Sequence, residues 1–459
     1  MDIIIIGGGP AGYAAALKLS GHGHRISLIE EEKVGGTCLN IGCIPTKALL
    51  YQAKFYRSIL EAAGKTLEIK GTVEADWPGI QEYKNSIIQK LVQGVEYLLK
   101  KSGVNFIPGR AEIASPGLVR VGGATFRYDK LLIASGSKNY VPPIEGACEC
   151  KAVIDSTGAL ALDAIPKRLA IIGGGVIGVE FATIYRQLGA EVAVFEAMDR
   201  LIPNFDPDLS SALRKSLEDS GVVVHTDAVV LSIEDLEGGS RLLAESAGKS
   251  LEYMADKILV SVGRRANFSG LGLEQLRLKT DKKGISVNEY MQTSDQNVYA
   301  IGDVTGKMML AHAAYSMAEV AADHILGGRL KYSEKAVPSC VYTDLEIASV
   351  GLTEEEAKKR NVDVQVIMSP LSGNGMSLVE TGGKGFVKLI VGPKYCQLVG
   401  LQLAGESASE IIAQGVQAIM SEQTAEEFLS FVYPHPSVSE AVREAALESI
   451  GEAIHQVRK

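Results

Sequence analysis

The chain has 459 residues, more than one hydrophobic core normally supports, so about three domains of roughly 150 residues each are expected. Hydrophobic residues make up 46% and charged residues 22%, and 46 Lys and Arg against 55 Asp and Glu give a net charge of −9 with no basic cluster; this excludes a disordered chain and makes nucleic acid an unexpected partner. No apolar run reaches the about 18 residues of a membrane helix, and an apolar strand starts straight after Met1-Asp2, so no span, signal or transit peptide is expected.

In chain order, DIIIIGGGPAG, AAALKL and RISLIE read as strand, glycine turn, helix and strand. The turn is G-x-G-x-x-G with Gly7, Gly9 and Gly12, and Glu30 closes the second strand 23 positions after Gly7. In such a unit the glycines let backbone approach a pyrophosphate, the helix N-terminus attracts its charge, and the acid accepts from a ribose hydroxyl.

The stretch GGTCLNIGCIPTK follows, Gly35 to Lys47, with Cys38 and Cys43 five positions apart in a chain of only six cysteines. So few cysteines do not make a secreted disulfide scaffold, and a reducing cytoplasm is expected. Pro45 suits a first helical position, which places Cys43 just outside a helix N-terminus where the dipole lowers a thiol pKa. Lys47, four residues on, adds a cation on the same side. A structural disulfide, a metal site and two unrelated core cysteines are the competing readings. A six-residue ring closes little loop entropy, and no second Cys or His cluster with ligand spacing lies nearby, so no metal is expected.

Residues 45–64 and 79–103 read as helices, the second with Ile80, Tyr83, Ile87, Leu91, Val95 and Leu98 three or four apart. Short β-rich stretches lead to KLLIASGSKNYVPPIEG, where Pro142-Pro143 and Gly146 mark a crossing into a new unit. Cys148 and Cys150 lie there in a polar C-E-C stretch and read as incidental. The opening pattern then returns 166 residues after its first appearance, as LAIIGGGVIG, FATIYRQLG and EVAVFE, with Gly173, Gly175, Gly178 and Glu196 at matching places. Two copies in full strand-turn-helix-strand context imply two dinucleotides. Glu180 stands on the apolar start of the second helix where the first copy has Ala14; a carboxylate there wants a partner, and Lys47 is a candidate.

The second unit ends near SVGRRANFSG with Gly263 as its closing turn, VYAIGDV follows, and residues 311–326 read as a long helix. After Gly327-Gly328 the pattern changes to mixed strands and helices without a dinucleotide turn, a separate α+β domain in which Cys340 and Cys396 read as buried strand residues. Near its end, YPHPSVSE holds His435 between two prolines with Glu440 five residues on, a stiffened imidazole whose tautomer a carboxylate can fix.

Together these segments resemble the flavin-dependent pyridine nucleotide–disulfide oxidoreductases along essentially the whole chain. GGTCLNIGCIPTK is close to the active-disulfide signature of the branch that oxidises dihydrolipoyl groups, and YAIGDV, GKMMLAH and PHPSVSE occur in the family's order. The resemblance implies an α/β chain of two Rossmann-like dinucleotide-binding domains plus a C-terminal α+β dimerisation domain. Its parts are residues 1–145 (FAD-binding, first part), 146–265 (NAD-binding), 266–335 (FAD-binding, second part) and 336–459 (interface). It assigns FAD to Gly7, Gly9, Gly12, Glu30, Lys47, Ser135, Gly136, Asp303 and the turn carrying Met309, Ala311 and His312, and NAD to Gly173, Gly175, Gly178, Glu196 and Gly263.

The same resemblance makes Cys38 the thiol that exchanges with substrate, Cys43 the thiol beside the flavin, Lys47 and Glu180 an ion pair, and His435 with Glu440 an acid/base dyad serving the partner subunit of a homodimer. The implied substrate is a lipoyl group on a protein of a 2-oxoacid dehydrogenase or glycine cleavage complex, with hydride passing to NAD⁺. Glu196 favours NAD over NADP because a carboxylate repels a 2′-phosphate. A glutathione-type reductase and a flavoprotein kept only as a structural subunit are the alternatives. Tyr433, Met317-Ala318 and Leu345 depart from the family's usual residues, so packing near them is expected to differ.

Overall fold

The computed structural model describes residues 1–455. Two five-stranded parallel sheets form its centre, and their strands play the same roles in the same order. The first runs Val298–Ala300, Lys130–Ile133, Asp2–Ile6, Arg25–Glu30, Asn105–Pro108; the second runs Val153–Ile154, Lys257–Val260, Arg168–Ile172, Glu191–Phe195, Val223–His225. The runs Ile3 to Ile6 and Leu169 to Ile172 are buried throughout, as strands covered on both faces must be. In each unit a three-stranded antiparallel meander, residues 111–127 or 228–255, interrupts the path from the outermost strand back to the sheet.

The units differ in two places. The edge strand Val298–Ala300 reaches the first sheet from a point in the chain beyond the whole second unit. The crossover after Glu30 is also a long insertion with helices Gly36–Ile41, Cys43–Ala62 and Trp77–Lys101, where the second unit has one main helix, Pro207–Asp219. Helix Cys43–Ala62 packs Leu49, Leu50 and Ala53 into one core with Val179, Phe181 and Ala182 of helix Val176–Gln187, so the insertion docks on the second unit.

The C-terminal part is a five-stranded antiparallel sheet, Ser339–Val341, Ile347–Gly351, Leu398–Ala404, Phe386–Val391, Gln365–Pro370, with helices Ala408–Met420 and Glu440–Glu448 sharing its core. It is fastened to the second unit by a buried cation. Lys388 Nζ lies 3.0 Å from Asp206 Oδ1, 2.7 Å from Asp208 and 3.0 Å from Glu354, and Lys388 and Asp206 are 2% and 0% exposed. Such a charge is stable only because carboxylates surround it. Among the described residues no helix is long and apolar enough to cross a membrane.

Several local expectations need correction. The first long helix begins at Cys43, two residues before Pro45, because Gly42 takes the capping place; Cys43 is therefore the first helical residue and not outside the helix. The second begins at Trp77, where Asp76 accepts from the Gly79 N–H and Pro78 fills an early helical position. Cys396 is in a turn with φ +49 rather than a strand, and Cys340 in strand Ser339–Val341 is only half-buried. Cys150 is buried, its Sγ 2.9 Å from Asp235 Oδ1 and 3.4 Å from Ser240 Oγ, so it ties the connecting segment to the meander and is not incidental, whereas Cys148 is exposed.

Of the unusual positions, Met317 is buried with its Sδ accepting the Gly302 N–H at 3.3 Å, Tyr433 donates to Gln414 Oε1 at 3.1 Å, and Leu345 packs at the margin of the second unit's core.

Candidate functional site

Each central sheet ends in a glycine loop built to the same plan. Gly7 and Gly173 have φ of +103 and +104, conformations glycine adopts without strain. A Cβ on Gly12 would lie 1.7 Å from the Gly7 carbonyl oxygen, and one on Gly178 2.0 Å from that of Gly173. Those glycines let the helix pack on its strand. Gly9 and Gly175 cap their helices without any side-chain hydrogen bond, and a Cβ on Gly175 would meet nothing within 4 Å. Both helix starts are therefore open to an anion such as a pyrophosphate, and the residues fit a bound dinucleotide.

The two acids are equally matched. Glu30 Oε2 accepts from the Gly8 N–H at 2.5 Å and Oε1 from the Glu32 N–H at 2.8 Å; Glu196 Oε2 accepts from Gly174 at 2.6 Å and Oε1 from Met198 at 2.7 Å. Each carboxylate is locked beside its loop. The Gly35 N–H closes the first loop by donating to the Gly8 carbonyl at 2.8 Å, as the Ile202 N–H does to Gly174 at 2.8 Å. Gly36 lies so close that its Cβ would stand 2.6 Å from the Gly9 Cα. The insertion thus starts directly on the first nucleotide loop.

Two residues past Gly36, Cys38 lies in the short helix Gly36–Ile41, and Gly42 separates it from Cys43 at the start of the next. Both are free thiols here. The neighbouring Cys38 thiol and the nearby Lys47 charge lower the Cys43 thiol to about 7, against the pull of burial; the Cys43 neighbour and burial push Cys38 up. Lys47 Nζ donates to both oxygens of Glu180 at 2.8 Å, and Glu180 is 3% exposed. The cation and the carboxylate come from different units, joined because their helices pack together.

The other residues expected at the two nucleotide sites make contacts of their own. Asp303 is pushed up by burial, opposed by a 2.6 Å hydrogen bond from Ser137 Oγ and by the Arg264 charge. Ser135 Oγ donates to the Asn267 carbonyl at 2.6 Å, and Gly136 and Gly263 have φ of +71 and +117 with open space where a Cβ would point. Met309 precedes helix Ala311–Ile325, whose start no side chain caps; His312 Nε2 lies 2.7 Å from the Pro338 carbonyl oxygen.

His435 Nδ1 lies 2.9 Å from Glu440 Oε1, and Glu440 Oε2 accepts from the Ser437 N–H at 2.9 Å. Burial pulls the Glu440 carboxyl up, but these two bonds together with the His435 and His455 charges outweigh it and hold it low. The imidazole is 80% exposed, and among the described residues no hydrogen bond joins the dyad to Cys38 or Cys43. Its chemistry faces outward.

Some contributors were not visible in the sequence. Tyr342 puts its ring 4.3 Å from Lys47 Nζ and donates its N–H to Glu180 Oε1 at 3.1 Å. Tyr13 and Tyr315 pair their hydroxyls at 2.5 Å between the first glycine-loop helix and helix Ala311–Ile325. Only the fold brings residues this far apart together, and none sits in a spaced motif. The nearest signal was the hydrophobic context of Tyr342 beside Cys340.

Comparisons with known proteins agree with this geometry. Residues 1–318 match the family model described as pyridine nucleotide-disulphide oxidoreductase, and residues 337–446 match that family's dimerisation domain. The chain is 38% identical to a dihydrolipoyl dehydrogenase of Bacillus subtilis over 99% of this chain and 100% of that protein. It is 39% identical to a dihydrolipoyl dehydrogenase of Thermus scotoductus over 99% and 98%. Among solved structures, LpdA of Mycobacterium tuberculosis superposes with a TM-score of 0.88 at 27% identity, covering 98% of this chain and 99% of that one. The HOCl-induced flavoprotein disulfide reductase RclA of Escherichia coli superposes with a TM-score of 0.87 at 29% identity, covering 97% and 99%.

Proposed function

Because the chain belongs to the pyridine nucleotide-disulphide oxidoreductase family, we propose that it acts as a dihydrolipoyl dehydrogenase, oxidising protein-bound dihydrolipoamide with NAD⁺. The observation that carries this reading is the dithiol at the Gly42 break. Lys47, paired at 2.8 Å with Glu180 of the second unit, stands near these cysteines, and with the Cys38 thiol it draws the Cys43 thiol down to about 7.

A thiolate of the reduced lipoyl group attacks Cys38 Sγ in the oxidised pair, and Cys43 leaves as the stabilised thiolate. The second substrate thiol then displaces Cys38, closing the lipoyl disulfide and leaving both enzyme cysteines reduced. His435 takes the substrate proton, with Glu440 orienting Nδ1 and offsetting the charge of the imidazolium. Bound FAD would supply two-electron acceptance from the cysteine pair and hydride donation to NAD⁺. Gly7, Gly9, Gly12, Glu30, Lys47, Ser135, Gly136, Asp303 and the turn carrying Met309, Ala311 and His312 would hold FAD. Gly173, Gly175, Gly178, Glu196 and Gly263 would hold NAD.

The exposed dyad supports a homodimer in which each His435 serves the partner's cysteines, and the dimerisation-domain match over residues 337–446 supports the same assembly. The lipoyl group arrives on another protein of a 2-oxoacid dehydrogenase or glycine cleavage complex, and the low cysteine content suits a cytoplasmic setting. Steady-state assays test the reading: rapid turnover of dihydrolipoamide with NAD⁺, and little of glutathione disulfide with NADPH, is expected. The reverse ranking refutes it.

A further inference from the structure

The two dinucleotide units are joined through a two-stranded ribbon, Ser137–Asn139 paired antiparallel with Arg264–Ala266. One strand leaves the first sheet after Lys130–Ile133, and the other leaves the second sheet after Lys257–Val260 and the Gly263 turn. Arg264 turns its guanidinium back across this ribbon. Its Nε donates to Ser137 Oγ at 2.7 Å, its Nη2 donates to the Ser137 carbonyl at 2.8 Å, and its Nη1 donates to Asn139 Oδ1.

Three acceptors in a fixed fork pin the side chain, but none of them is a carboxylate. The charges that steady Arg264 against burial are Asp303, Asp155 and Cys43, and the two carboxylates are each reached through a neutral residue. Ser137 Oγ donates to Asp303 Oδ2 at 2.6 Å, and Asn139 Nδ2 donates to Asp155 Oδ2 at 2.8 Å. A serine hydroxyl has one proton. With Arg264 Nε filling an acceptor position on Oγ, that proton is directed to Asp303. Asp303 Oδ1, in contrast, has no hydrogen bond among the described residues.

We propose that Arg264 is a positioning residue of the flavin site: it fixes Ser137 as a donor to one oxygen of Asp303 and leaves the other oxygen to accept from a sugar hydroxyl of FAD. The proposal rests on the reading of Asp303 as an FAD ligand. It gives flavin retention a dependence on a residue of the strand that leaves the second nucleotide unit.

The test is FAD affinity, measured by titrating FAD into the apoprotein and following quenching of flavin fluorescence. Arg264→Gln and Ser137→Ala should each weaken FAD roughly 10- to 100-fold, the range for one hydrogen bond to a charged group. Neither should add to Asp303→Asn when combined with it, because all three interrupt one chain of contacts. A merely structural role for Arg264 gives additive losses, and that result overturns the proposal. Unchanged affinity in Arg264→Gln, with Asp303→Asn weakened, overturns it while leaving the flavin site as read. Unchanged affinity in Asp303→Asn refutes the site reading and the proposal together. Ser137→Ala keeps Arg264 and the backbone of the ribbon, so its FAD affinity decides between the same outcomes if Arg264→Gln does not fold.

Discussion

The two glycine-loop units are near copies in backbone and opposites in their surroundings. Their first glycines share a φ within one degree, their acids are locked by the same pair of N–H groups, and a third segment closes each loop through one 2.8 Å bond. In the first unit that closing segment is Gly35-Gly36 and continues into the cysteines; in the second it includes Leu201 and Ile202 and continues into an ordinary helix. The first loop is thereby covered by the chemistry it serves, and Gly175 of the second stands open. Duplicated backbone gives two matching glycine loops, and what is inserted after the second strand sets one apart from the other.

The strongest way to break this contrast is Cys38→Ser. Dihydrolipoamide oxidation should fall by roughly 10³-fold or more while the protein stays yellow, since in the proposed reaction Cys38 is the sulfur that the substrate thiolate attacks and it is no part of the glycine loop; a colourless product would mean the insertion is needed to hold the flavin. Gly178→Ala comes next, with a Cβ 2.0 Å from a carbonyl oxygen in the second loop alone. It should cut kcat/KM for NAD⁺ roughly 100-fold with FAD retained, and loss of FAD would show that the units are not separable.

Glu196→Arg should shift the NADP to NAD preference by roughly tenfold or more, and an unchanged ratio would count against Glu196 as the ribose acid. The smallest effect is a titration. Alkylation of Cys43 in the reduced enzyme should rise with pH to a midpoint at about 7, because the thiolate reacts and the thiol does not; a midpoint at the ordinary 9.0 would remove the electrostatic role of the insertion.

What could be read from the sequence divides along the same line. The glycine loops and their acids were legible because each requirement, a positive φ, a close approach or a spaced carboxylate, falls on residues a fixed distance apart. The Lys47 and Glu180 pair was legible as a question, since a carboxylate on an apolar helix start needs a partner, and the 2.8 Å contacts supply it. Tyr342, Arg264 and the Tyr13 and Tyr315 pair were not, because their roles arise where separate units meet. The redox helix starts two residues earlier than Pro45 suggests, because Gly42 is free to take φ −144 and ψ −112 and so lets the helix begin at Cys43 itself.

The edge strand Val298–Ala300 also sets an order of events during synthesis. Domains tend to fold as they emerge, N-terminal first. Here the opening sheet waits for its fifth strand, and for Asp303, until the entire second unit has left the ribosome. The second unit, whose strands are contiguous from Val153 to Val260, can close by itself in the meantime. Lys47 and Glu180 are therefore both synthesised before the edge strand and Asp303 that complete the opening sheet.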